Sequence, residues 1–185
     1  LAHIPNPLQE KIMHRLIGLS VISILLAAPA VAQEAAGTFI DAQGAEIAAV
    51  TLSQGEGAVS ISGEVSGLEP GERGIHFHEV GDCDTSTQFE SAGAHFNPME
   101  HQHGLENPEG AHAGDLPNIT TGEDGTTPIA LETDRISLTE GEDGYVFDAD
   151  GTALVIHADA DDQMTDPSGN SGDRVACAVI EAAGQ

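Results

Sequence analysis

The chain has 185 residues, with 31 acidic side chains against five basic ones and nine histidines. A formal net charge of −26 leaves no basic patch for nucleic acid or an anionic membrane surface, which excludes both as partners. Such charge keeps a chain soluble but costs stability by self-repulsion, which salt screens over about 8–10 Å at physiological strength.

In chain order, residues 1–12 have no initiating methionine and are expected to be upstream translated sequence, with Met13 as the start. Residues 13–32 carry His14 and Arg15, an apolar run from Leu16 to Ala28, and Ala30-Val31-Ala32. This pattern predicts a secretory signal peptide cut after Ala32; the competing reading is a retained anchor, for which the run is short of the usual ~20 residues. No membrane association is expected after cleavage. Residues 33–185 then form one domain, long enough for one real core. Without Glu10, Lys11 and Arg15, it holds 30 acids against Arg73, Arg135 and Arg174, a charge near −27.

The domain reads as short strands and turns. Strands are expected over 37–41, 45–54 and 58–65, the last with Val59, Ile61 and Val65 alternating against small or polar partners. Pro70-Gly71 marks a turn. "RGIHFHEV" (73–80) is a strand candidate, as are 128–132, 135–139, 152–157 and 174–180. No stretch sustains a 3.6-residue apolar period, so an all-β sandwich or flattened barrel is expected. Residues 81–115 and 158–173 fit no strand, and loops this long are usually functional or disordered. Four histidines in the first loop favour function. The two cysteines, Cys83 and Cys177, are an even count in an exported chain. That favours one disulfide, closing a loop of about 95 residues worth about 4–5 kcal/mol; two free buried thiols are the other outcome.

On a strand, side chains two apart share a face, so His76 and His78 project together with Phe77 turned into the core between them. An H-x-H pair is half of a metal site, though alone it is a weak signal. His95, His103, His112 and Asp115 follow, at spacings of 8, 9 and 3, and His157 closes a strand.

The segments "GIHFHEVGDC", "AGAHFNP", "HG" (103–104), "HAGDLPN", "IHADADD" and "GNSGDRVACAVI" resemble the copper/zinc superoxide dismutase family, in family order over essentially the whole of 33–185. The resemblance implies an eight-stranded Greek-key β-barrel with two long functional loops. It implies copper on His76, His78, His95 and His157, and zinc on His95, His103, His112 and Asp115, with His95 shared. It further implies a Cys83–Cys177 disulfide, Arg174 above copper, and Asp161 linking a copper-side to a zinc-side histidine. The implied reaction is dismutation of superoxide, copper being alternately reduced and oxidised, His95 passing a proton to the peroxide product and zinc remaining structural.

Imidazole suits both metals, and a His₃Asp set suits zinc. For Arg174 the competing role is a surface ion pair with Asp173 or another acid. His101 is expected to be a solvated loop residue, and Asn118-Ile-Thr a glycosylation motif without meaning. Family members often carry lysines at the channel rim; here 158–173 has none and five aspartates, and Ser168 stands where threonine is common. Weak long-range attraction of an anion is therefore expected. The alternative function is a non-enzymatic copper/zinc-binding module on the same fold. Location is expected to be periplasmic or secreted, as a monomer or homodimer.

Overall fold

The structure, a computed structural model, describes residues 33–184. The expected upstream segment and signal peptide lie outside the described residues.

Ten strand segments make up the fold. In chain order they are β1 (Glu34–Asp41), β2 (Glu46–Gln54), β3 (Val59–Ser66), β4 (Gly71–Arg73), β5 (Ile75–His78), β6 (Ile119–Thr121), β7 (Thr126–Thr133), β8 (Ala153–His157), β9 (Arg174–Val179) and β10 (Glu181–Ala182). Two breaks are local: only Gly74 separates β4 from β5, and only Ile180 separates β9 from β10. The chain therefore runs as eight strands, as expected. The main sheet has the order β5-β8-β9-β1-β2-β3-β7, with β10 also on β1, and every pairing is antiparallel. The strand order departs from chain order where the two long loops cross. β4 pairs separately with β6, which turns directly into β7, where Thr121 Oγ1 lies 2.8 Å from Thr127 Oγ1. The small sheet thus links the two ends of the large one.

Inside lie Phe39, Leu52, Ile61, Phe77, Leu154 and Ile156, all essentially unexposed. Alternation holds where one face meets solvent: in β3, Val59, Ile61 and Val65 are buried and their neighbours are not. β5 and β8 depart from it, because every residue of both is buried. Ile75, Phe77, Leu154 and Ile156 face the main core. On the opposite face, Ala153 and Val155 meet a second cluster of Phe89, Ala92 and Cys177. The first long loop is therefore a packed lid on the outside of β8.

One strand expectation fails. Residues 135–139 form no strand. Ile136 and Leu138 are buried at 3% and 4% exposure, as the alternation requires. The amides pair elsewhere, Ser137 N donating to Gly144 O at 2.9 Å and Leu138 N to the Gln54 side chain at 2.8 Å. Periodicity reports which side chains are buried; it does not report what the backbone pairs with. Conversely, Ile119–Thr121 forms a strand that its three residues were too short to signal.

Candidate metal centre

β5 presents His76 and His78 on the face away from Phe77. Antiparallel pairing sets them opposite Val155 and Ala153, and β8 ends in His157 on the same side. The first loop returns to this edge through single bridges, His78 to His95 and His76 to Asp115. Gly114 is required at the crossing, since a Cβ there would strike the carbonyl of Phe77.

Two clusters result. The possible ligand atoms of His76, His78, His95 and His157 all lie within 4.8 Å of one another, and so do those of His95, His103, His112 and Asp115. His95 belongs to both. In the second cluster the Asp115 Oδ1 oxygen lies 3.0 Å from His95 Nδ1, 3.0 Å from His103 Nδ1 and 3.4 Å from His112 Nδ1. Its Oδ2 accepts from the amides of Gly104 (2.8 Å) and His112 (2.9 Å), which fixes the carboxylate. Asp161 spans the clusters, with Oδ2 2.6 Å from His76 Nε2 and Oδ1 3.0 Å from His103 Nε2.

The remaining ring nitrogens assign the tautomers. His78 Nδ1 donates to Gly93 O at 3.0 Å and His157 Nδ1 to Gly172 O at 3.2 Å. Their Nε2 atoms are thereby left as acceptors, 3.4 Å apart. His76 Nδ1 and His95 Nε2 are buried with no hydrogen-bond partner, and so are His103 Nδ1 and His112 Nδ1, which lie close to Asp115 Oδ1 without hydrogen-bond geometry. A buried imidazole nitrogen without a partner is costly. Here the partnerless atoms converge in two groups, which fits two bound cations.

Burial pushes His95 down to about 4 and His157 to about 3, with the nearby His76 adding to both shifts. Burial also lowers His76 and His78. His103 is the exception: burial lowers it, but Asp115 and Asp161 outweigh this and raise it to about 9. The carboxyl groups of Asp115 and Asp161 are held below their ordinary value, their desolvation outweighed by hydrogen bonds from the histidines. Between pH 6.5 and 4 the unfolded chain therefore binds more protons at His95 and His157 than the folded one, so their contribution favours folding less as pH falls. His103 acts oppositely, and its contribution is lost as pH rises toward 9. With the lowered histidines outnumbering the raised one, the denaturant midpoint of the metal-free protein is expected to drop between pH 7 and pH 5. A midpoint that holds or rises would contradict this balance.

A cavity of about 680 Å³ opens above the first cluster, lined by His78, His95, His157 and Arg174, with Asp41, Glu90 and Asp173 at its walls. The Arg174 guanidinium donates to Phe89 O (2.5 Å) and Gly93 O (2.7 Å) and lies 3.7 Å from Glu90. Arg174 lines the cavity, and its acidic neighbour is Glu90. His101 is exposed and stands outside both clusters.

Sequence reasoning missed several supporting groups. Asn118 brackets the backbone of Asp161, donating to its carbonyl (2.8 Å) and accepting from its amide (2.9 Å). That gives the Asn118 side chain a structural task. Asp166 accepts from the amide of His103 at 2.8 Å. Gly169, at φ +60°, passes so close to the Asp161–His103 contact that a Cβ would overlap the carboxylate. Asn118 and Gly169 at least fall within the motif segments, whereas Asp166 lies between two of them and carried no signal.

Fold and site together define an all-β metalloprotein with two histidine-rich clusters sharing one imidazole. A family model described as copper/zinc superoxide dismutase (SODC) matches residues 46–180. The chain is 41% identical over 171 residues to "Superoxide dismutase [Cu-Zn] 2" of Aquifex aeolicus, covering 91% of this chain and 99% of that protein. It is 43% identical over 141 residues to "Superoxide dismutase [Cu-Zn]" of Caulobacter vibrioides, covering 75% and 80%. The crystal structure of a superoxide dismutase-like protein from Bacillus subtilis superposes with a TM-score of 0.73 at 39% identity, over 77% of this chain and 95% of that one. The chain belongs to the copper/zinc superoxide dismutase family. It is an oxidoreductase of that family, which implies copper and zinc as cofactors and superoxide as substrate.

Proposed function

We propose that the first cluster, His76, His78, His95 and His157, holds copper, and the second, His95, His103, His112 and Asp115, holds zinc. On this reading two superoxide anions and two protons give one dioxygen and one hydrogen peroxide. Copper supplies the one-electron exchange, and zinc supplies fixed charge without redox chemistry. The observation that carries the assignment is the sharing of His95: its Nδ1 faces Asp115, and its partnerless Nε2 faces the other three imidazoles. The all-nitrogen set suits copper, and the His₃Asp set suits zinc.

Arg174 docks the anion. Its charge is permanent, and its planar fork is held by two carbonyls, so it pays little entropy to present its cavity-facing edge. His95 lines the cavity, and on this reading its Nε2, when not held by copper, would pass a proton to the peroxide product as a general acid. The homologues and the disulfide favour a periplasmic or extracellular site of action.

The test is to count copper and zinc per chain in the loaded protein and to follow superoxide decay directly. One of each metal with rapid catalytic decay supports the reading. Two bound metals with decay no faster than the metal-free protein's would favour a binding module instead. The same assay at two salt concentrations tests the acidic walls. With Asp41, Glu90 and Asp173 around one arginine, screening should raise the rate or leave it unchanged. A steep fall with added salt would sink that expectation.

A further inference from the structure

Residues 33–184 contain only three Lys or Arg side chains, against the large acidic excess. The usual fate of an arginine here would be an exposed carboxylate. Instead, all three donate to main-chain carbonyls on segments that carry the clusters. Arg174 grips the carbonyls of Phe89 and Gly93. Arg73, 6% exposed, donates Nη1 to the carbonyls of His157 (3.3 Å) and Ala158 (2.7 Å). Its Nη2 reaches Glu69 O and its Nε reaches Thr121 Oγ1. Among the described residues, no carboxylate lies within ion-pair distance of Arg73. Arg135 donates Nη2 to the carbonyl of Asp115 itself at 2.7 Å, while Asp134 lies only at 3.8 Å and is exposed.

We propose that Arg73 and Arg135 are positioning residues, one for each half of the metal centre. This inference rests on the copper and zinc assignment above. Arg73 pins the end of β8 where His157 leaves the sheet and the register with β9 slips. Arg135 pins the peptide after Asp115, the residue whose Oδ1 gathers three imidazoles. Asp115 is then held from both ends, its carboxylate by two amides and its carbonyl by a guanidinium. Arginine suits this task better than lysine, because a rigid fork grips several carbonyls at fixed angles. Arg135 reaches Asp115 from the segment 135–139, which lies outside the sheet and bridges only from Ser137 to Tyr145. Outer partners of this kind are typically worth about 10–100-fold in metal affinity.

The test uses the full protein loaded with both metals, with Arg73→Met and Arg135→Met compared with the unaltered chain. Zinc release to a chelator reports the second cluster, and the paramagnetic resonance spectrum of Cu(II) reports the first. Arg135→Met should speed zinc release about tenfold while leaving the copper spectrum unchanged. Arg73→Met should alter the copper spectrum and weaken copper while leaving zinc release unchanged. The lysine variants, which keep the charge and one donor nitrogen but lose the planar fork, should recover part of each loss, and they carry the comparison if a methionine variant fails to fold. Unchanged release and spectra, with only a lower melting temperature, would reduce both residues to fold stabilisers and overturn the proposal. Equal effects of each variant on both metals would also overturn it, because the one-per-half division would be gone. An unaltered chain that binds no tight zinc would overturn the cluster assignment itself, and this role with it.

Discussion

Replacing Cys83 and Cys177 together by alanine is expected to remove about 4–5 kcal/mol of stability. The two residues are bonded across a sequence separation of 94, with Cα atoms 5.8 Å apart. On the chain-entropy model, opening so long a loop frees many unfolded conformations. A domain of this size holds only about 5–15 kcal/mol in total, so the loss is a large share of it. The damage should also have a location. Cys83 sits at the start of the first long loop, and Cys177 is fully buried in the cluster with Phe89 and Ala92. The same loop supplies Gly93 O, which accepts from both His78 and Arg174. Releasing it should loosen the first cluster and the anion dock together. Denaturant unfolding of the metal-free protein measures the stability term. A loss under about 1 kcal/mol, within reach of ordinary substitutions, would mean that the packing of Phe89 holds the loop unaided.

Much of this architecture was legible in the sequence, and the reasons differ by region. β3 could be read because one face meets solvent and the pattern alternates. Eight strands were expected from the resemblance, and eight runs are present. Residues 135–139 misled because Ile136 and Leu138 bury with strand periodicity while the amides of Ser137 and Leu138 turn to Gly144 and Gln54. β8 carried no alternation, because a core covers each face. Among the site residues, His76 and His78 could be paired from spacing alone, since a strand sets i and i+2 on one face. The convergence of His95, His103, His112 and Asp115 could not be, because loop residues meet through turns and not through a period. There the family resemblance supplied what periodicity lacks. The supporting residues Asn118, Asp166, Gly169, Arg73 and Arg135 act through backbone groups, which leave no periodic signal.

Asp161→Ala is expected to weaken both metals at once, each by about 10–100-fold. The carboxylate sets one oxygen against the first-cluster His76 and the other against the second-cluster His103. It orients His76 so that Nδ1 points inward, and His103 so that its own Nδ1 points toward the Asp115 side. Without it, both rings gain a second tautomer and rotational freedom, and two buried Nε2 atoms lose their partner. The domain itself should survive. Asp161 lies in the loop 158–173, outside the hydrophobic core, and Asn118 holds its backbone without the carboxylate. Metal release from the loaded variant, followed separately for copper and zinc, is the measurement. Loss of both, with a cooperative unfolding transition and a modestly lowered midpoint for the metal-free form, fits a bridge. Full retention of zinc would show that Asp115 alone orders the second cluster, and that Asp161 serves His76 only. The Asp161→Asn variant sharpens the distinction. It keeps the shape but offers one acceptor oxygen where the native carboxylate offers two, so only one of the two rings can keep its hydrogen bond. Its loss should therefore fall mainly on one metal, and which one it spares identifies the ring that competes better for the remaining oxygen.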